Sequence, residues 1–264
     1  ASLSSNQNID YLFFHEGASL RIEYDFIFHS LFKDSTAYRS VVELLSKRTI
    51  GMTRSEIQEH LKVKSGGQLS EILENLCKCD FLRSYSSFGK KQRDQMYQLV
   101  DLLSLFHLRF VAKSNGQDEQ YWSNMLENPS RRAWQGYAFE QLCLHHLPQI
   151  KRGLGISGIL TEAYAWSCKS FTDTNGTERK GTQIDLVIDR RDQIINLCEM
   201  KFSSSLYVID ADYDERLRSR TETFRSSTKT RKALHTVLIT TYGIQQNKYS
   251  NNVQRILSLE ELFD

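Results

Sequence analysis

Gln183-Ile184-Asp185-Leu186-Val187-Ile188-Asp189, the polar turn Arg190-Arg191-Asp192-Gln193, and Ile194-Ile195-Asn196-Leu197-Cys198-Glu199-Met200-Lys201 decide the fold of the second half of this chain. Two apolar-rich runs of strand length joined by a short polar turn read as a β-hairpin. Side chains alternate along a strand, so Ile195, Leu197, Glu199 and Lys201 share one face. With the runs paired, Asp185 comes beside Glu199, and two carboxylates and an ammonium form one cluster. Paired carboxylates with open oxygen positions suit Mg²⁺ or Mn²⁺, hard cations that retain waters and bind phosphate oxygens. A neighbouring lysine orients an attacking water or stabilises charge on the phosphate, so the chemistry that fits is phosphodiester hydrolysis.

Working outward, the pattern before the hairpin predicts a helix over 131–146, a loop punctuated by Gly153, Gly155 and Gly158, and a strand over about 160–171. The hairpin strands cover 182–189 and 194–202, followed by a polar helix over 210–226 and a buried strand over 235–242. This order of helix, three meandering strands, helix and strand predicts an α+β or α/β domain with a mixed central sheet flanked by helices.

The first half reads differently. Ile9, Leu12, Phe13, Leu20, Tyr24, Ile27, Phe28, Leu31 and Phe32 recur at helical intervals broken near Gly17, which predicts two short helices. Tyr38, Val41, Val42, Leu44 and Leu45 mark a third. Thr53 stands as an N-cap with Glu56 in the capping-box position, opening a short helix through Ile57 and Leu61. Leu69, Ile72, Leu73 and Leu76 carry another. Alternating stretches at 81–88 and 95–100 flank a basic turn that contains Lys90, Lys91 and Arg93. Helices followed by a hairpin in this order predict a winged helix-turn-helix, the hairpin being the wing. An apolar helix over 102–111 closes it, and the polar stretch 113–119 is the best linker candidate. The expected division is 1–112, a linker at 113–130, and 131–264.

Composition sets the outer limits. With 264 residues, 40% hydrophobic content and only 2 prolines, the chain buries enough apolar surface to order nearly throughout. Its 34 Lys+Arg against 32 Asp+Glu leave +2, so any nucleic-acid surface is local rather than global. Cysteines at 77, 79, 143, 168 and 198 form no CxxC pair, and their odd number suits reduced thiols and a cytoplasmic setting. No run approaches the roughly 20 apolar residues of a membrane helix, and no signal peptide is evident. No GxxxxGK[ST] loop occurs, so ATP hydrolysis is not expected of this chain alone.

The hairpin residues resemble the PD-(D/E)XK nuclease superfamily, with Asp185 as the first acid and Glu199-Met200-Lys201 as the ExK element; Ile184 stands where the family name has proline. Gly136-Tyr137-Ala138-Phe139-Glu140 is similar to the superfamily's leading helix, which makes Glu140 a third candidate metal ligand. A fuller resemblance, over nearly the whole chain, is to bacterial and archaeal AAA+ ATPases that carry a winged helix and a nuclease-like C-terminal domain. Its phrases are 136–143, 183–187, 198–202, 228–232 and 240–243. The resemblance implies the C-terminal part of a longer protein, with ATP bound by an ATPase domain outside this chain. It also implies that Lys229, Thr230, Arg231 and Lys232 lie near substrate phosphates.

Plainer alternatives stand beside these readings. Glu and Lys two apart also occur on solvated strands, and 228–232 also reads as a solvated helix start. Cys143, His145 and His146 lack a second ligand pair with zinc spacing. On the would-be recognition helix, Gln68, Ser70, Glu71 and Asn75 are the expected exposed residues, and the acids Glu71 and Glu74 disfavour DNA phosphates; the wing tip is the better contact. Two functions from different classes follow. One is a metal-dependent DNA nuclease using Glu140, Asp185, Glu199 and Lys201. The other is a non-catalytic DNA- or protein-binding module serving the ATPase. Oligomeric state is left open.

Overall fold

Short polar side chains set where the helices of this protein begin. Ser4 and Gln7 form a capping box at α1 (Ser5–Phe13), and α2 (Ser19–Leu31) starts after the left-handed Gly17. Asp34 accepts from the Ala37 N–H at the head of α3 (Ser35–Leu45). After β1 (Met52–Thr53), Thr53 and Glu56 make the expected capping box of α4 (Arg54–Leu61). Helix α5 (Gly67–Lys78), strands β2 (Leu82–Tyr85) and β3 (Met96–Leu99), and α6 (Leu102–Arg109), capped by Asp101, complete the series. The structure is a computed structural model that describes residues 3–63, 66–89, 95–114 and 116–263. The chain divides into two units, Ala1–Tyr85 with Arg93–Ala133, and Ser86–Gln92 with Trp134–Asp264.

In the first unit, β3 lies between β1 and β2 in a three-stranded antiparallel sheet, with Met52 opposite Tyr97 and Leu82 opposite Leu99. Gly51 sets the approach of β1: its φ is +82° and a Cβ there would fall 2.2 Å from the Tyr97 carbonyl oxygen. The apolar stripes of α2, α3 and α5 bury Phe28, Val42, Leu45, Leu73 and Leu76. The expected linker is a correction. Residues 116–130 belong to this unit, because buried Asp10 accepts from the N–H groups of Trp122 (2.7 Å) and Ser123 (3.1 Å). Arg131 then bonds the Trp122 carbonyl at 2.7 Å and stacks 4.5 Å over its ring. Long-range polar ties hold what local composition reads as a spacer.

The second unit opens with α7 (Pro129–His145), whose last part lies in it, and α8 (Leu147–Gly153), a helix where a loop was expected. Pro148 in its first turn is a starting residue, since the missing N–H there has no partner to lose. Next come β4 (Thr161–Cys168), a small hairpin of β5 (Phe171–Thr172) and β6 (Glu178–Arg179), then β7 (Thr182–Arg190) and β8 (Ile194–Lys201). Strand β9 (Tyr207–Val208), helix α9 (Ala211–Thr228), and strands β10 (Ala233–Thr240), β11 (Ile244–Gln245) and β12 (Arg255–Ser258) follow.

The main sheet has five strands in the order β12-β10-β8-β7-β4. Strands β12, β10 and β8 run parallel, while β7 is antiparallel to both β8 and β4, so the sheet is mixed. One face packs Leu186, Ile188, Cys198, Met200 and Val237 against Phe139 and Cys143 of α7 and Ile150 of α8. The other packs Val187, Ile195 and Leu197 against Phe224 of α9. The protein is thus a mixed α+β chain with a mixed sheet flanked by helices. Among the described residues no helix is long and apolar enough to cross a membrane.

Candidate active site

Strand β8 is paired on both sides, by β7 and β10, and helices cover both faces of the sheet, so its side chains from Ile195 to Met200 are buried and exposure returns at its C-terminal end. Glu199 and Lys201 sit at that end. The β7–β8 ladder runs through Val187 opposite Leu197 to Leu186 opposite Cys198, and one further step brings Asp185 to Glu199. On its other edge β7 is irregular: Tyr164 pairs with Val187 but Trp166 with Ile184, so Asp185 and Leu186 together oppose the single residue Ala165. An extra residue of this kind bends the strand and re-aims a side chain. Half-buried Asp185 then accepts a long hydrogen bond from the Met200 N–H, 3.4 Å to Oδ2.

Glu199 is the buried member, its side chain 4% exposed. Its Oε2 lies 3.9 Å from Lys201 Nζ and in direct contact with Arg220 Nη1. Its Oε1 is buried without a hydrogen-bond partner. Burial and then the Asp185 charge push the Glu199 carboxyl up, to about 7, against the opposing pull of Arg220 and Lys201. Two carboxylates in a desolvated corner repel, and the buried one therefore holds its proton more tightly.

Helix α9 supplies two residues that sequence reading missed. Tyr213, Leu217, Arg220 and Phe224 follow the helical repeat and form the stripe that faces the sheet, so Arg220 interrupts an otherwise apolar row. That interruption is the signal: a cation inside an apolar stripe needs a buried anion. Burial opposes its charge, and the Glu199 carboxylate outweighs burial, so the Arg220 pKa is raised. Tyr213 is buried with an unpartnered hydroxyl, its pKa raised by burial and then by Glu199, and Lys201 Nζ stands 5.7 Å over its ring.

Glu140 lies on α7, on the side of the sheet opposite α9. Burial, and then the charges of Glu140 and Asp185, push the Cys143 thiol up to about 12. Among the described residues no three His, Cys, Asp or Glu side chains form a group that could hold a metal ion. Asp185 and Glu199 are the pair that remains, and a divalent cation of the Mg²⁺ kind needs only one or two carboxylates when water and phosphate oxygens fill its other positions. The unpartnered Glu199 Oε1 and this all-oxygen donor set fit such an ion. No described cysteine is in a disulfide, and His146 is engaged with the Leu142 carbonyl at 2.7 Å.

The residues 229–232 follow α9. They form the turn after α9, with Lys229 left-handed at φ 54°, rather than a helix start. Strand β10 runs from Ala233 opposite Ile194 to Thr240 opposite Lys201, so this turn adjoins the far end of β8. Five strand steps, from Ala233 to Leu238 opposite Glu199, at about 3.3 Å put it on the order of 17 Å from the carboxylates. Lys232 is moreover paired with Asp189 and bonds the Arg190 carbonyl at 2.8 Å. Lys90, Lys91 and Arg93 lie outside the described residues. On α5, Gln68, Ser70 and Glu71 are exposed, but Ser70 accepts from Arg54 at 3.0 Å and Asn75 donates to Tyr38 at 2.9 Å.

No protein-family model matches the chain, and no curated protein or solved structure matches it. The class that fold and site define is therefore a two-unit α+β protein with an acidic and basic cluster at the open end of a mixed sheet.

Proposed function

We propose that this protein hydrolyses DNA phosphodiester bonds with Mg²⁺ or Mn²⁺, the second unit being a PD-(D/E)XK-type nuclease domain and the first a winged helix. The observation that carries the reading is the buried, unpartnered Oε1 of Glu199 beside Asp185 at the end of β8. Asp185 and Glu199 hold the metal in this reading, while Glu140, on α7, is not grouped with them among the described residues and adds only its charge from a distance. A bound divalent cation supplies Lewis acidity and a more acidic water. Lys201, 33% exposed and 3.9 Å from Glu199, positions the nucleophile and stabilises charge on the phosphate. The resemblance further supports a role as the nuclease-like region of a larger cytoplasmic AAA+-type protein, whose ATPase domain would be its partner. The test is Mg²⁺- or Mn²⁺-dependent cleavage of plasmid and single-stranded DNA, compared with Asp185→Ala. Equal cleavage by both proteins would sink the reading.

A second reading, a non-catalytic module that holds DNA or a protein, is favoured by one observation: Arg220 already satisfies Glu199 Oε2. Binding of DNA without cleavage under any divalent cation would select it.

A further inference from the structure

Four charged side chains meet at the end of β8: Asp185 and Glu199, Lys201 and Arg220. Their formal charges cancel. A divalent cation added to this set creates a surplus of +2, which is unfavourable unless one of the cations withdraws or an anion arrives. Lys201 is 3.9 Å from Glu199, whereas Arg220 touches the carboxylate oxygen itself, so Arg220 and a metal compete for one atom. The guanidinium does not use its fork. It takes Oε2 and leaves Oε1 without a partner, although a bidentate clasp of both oxygens is the stable form of this pair. Arg220 is also 26% exposed against 4% for Glu199, so its outer side already reaches solvent.

Resting on the nuclease-type reading above, we propose that Arg220 is an exchangeable counter-ion of Glu199. It neutralises the buried carboxylate in the metal-free protein, and it turns to the phosphate of the substrate when that carboxylate is given over to the metal. An arginine suits both tasks, since carboxylate and phosphate present the same fork of oxygens. The exchange makes phosphate binding depend on metal binding without any movement of the backbone.

The test compares the whole protein with Arg220→Gln, using Mn²⁺ alone as the metal probe in titration calorimetry. A single-stranded oligonucleotide, with Ca²⁺ to avoid cleavage, is the phosphate probe. Removing the competitor should tighten Mn²⁺ binding about tenfold. Oligonucleotide affinity should fall about tenfold with Ca²⁺ and stay unchanged in EDTA. In melting curves, the loss of thermal stability caused by Arg220→Gln in EDTA should largely vanish with saturating Mn²⁺. A structural role alone would give weaker or unchanged Mn²⁺ binding, and that result overturns the exchange while leaving the metal site standing. If the unaltered protein binds no Mn²⁺, the metal-site reading fails and the exchange fails with it. Should the glutamine variant not fold, Arg220→Lys decides the matter. It keeps a competing charge, so Mn²⁺ affinity should stay near that of the unaltered protein while oligonucleotide affinity with Ca²⁺ falls. Undiminished oligonucleotide binding by Arg220→Lys would overturn the proposal.

Discussion

In the proposed nuclease reading, Glu199 and Lys201, two residues apart, belong to different steps. Removing Asp185 or Glu199 takes away hard oxygen donors, so metal affinity and rate should fall together. Lys201→Ala should leave Mn²⁺ affinity intact or slightly higher, and lower the cleavage rate by about 10²–10³-fold, as for other preorganised electrostatic groups. Calorimetry beside a cleavage assay separates these. If Lys201→Ala loses metal as badly as Asp185→Ala, the lysine is holding the cluster together and has no role of its own in the chemistry. The Glu199 carboxyl also has a stability signature. Its folded pKa, about 7, lies above the ordinary 4.5. Between those values the folded protein binds the extra proton, so this contribution to stability is complete below about pH 4.5 and is lost as pH rises through 7. Urea unfolding in EDTA should therefore show a decline over that window, flattened in Glu199→Gln and flattened again by Mn²⁺. A curve for Glu199→Gln parallel to that of the unaltered protein would assign the decline elsewhere. At this scale the sequence is informative for Asp185, Glu199 and Lys201, because strand alternation alone puts the last two on one face. Arg220 and Tyr213 were hidden in a helix whose many charges read as solvated. Only the apolar partners at 217 and 224 reveal which face is buried.

Among the elements, those with strong local determinants were legible and those defined by distant partners were not. The α4 capping box and the β7–β8 hairpin follow from side-chain chemistry within a few residues. Strand β12 is four residues long and becomes a strand only by pairing in parallel with β10, which periodicity over four residues does not reveal. Likewise, the ladder stops short of Asp185 because β7 carries its irregularity there, a feature set by Ala165 on another strand. A glycine supplies the sharpest test of element packing. Gly51 combines a φ of +82° with a virtual Cβ 2.2 Å from the Tyr97 carbonyl oxygen. Gly51→Ala should therefore cost more than about 2 kcal/mol, through backbone strain and the parting of β1 from β3. Thermal melting against Gly66→Ala measures it, since a Cβ at Gly66 meets nothing within 4 Å and its φ is not left-handed. Equal melting temperatures would mean that β1 shifts without penalty.

For the molecule as a whole, if the proposed nuclease reading holds, the balance of +2 predicts how the protein would meet DNA. Many of its cations are already committed: Arg39 to Asp25, Arg179 to Asp173, Arg190 to Asp192, Arg218 to Asp214, Lys232 to Asp189 and Arg255 to Glu261. So even a balance of cations and anions gives no broad basic face, and each phosphate neutralised contributes about 0.9 to the slope of log affinity against log salt. A protein with a broad basic face would give a steep slope. Here a shallow one is expected, corresponding to roughly two to four contacts. If Lys90, Lys91 and Arg93 supply most of them, replacing all three by alanine should weaken duplex binding and reduce the slope by close to 3 × ~0.9. Fluorescence anisotropy over a salt series, with Ca²⁺ in place of Mg²⁺, reads this directly. The α5 helix is a poor rival for the role, because Glu71 and Glu74 lie on its exposed side and Ser70 and Asn75 already have partners within the fold. An unchanged slope in the triple variant would remove the basic turn from the DNA surface. With α5 disfavoured as well, protein contacts would then be the task left to α5 and the β2–β3 hairpin.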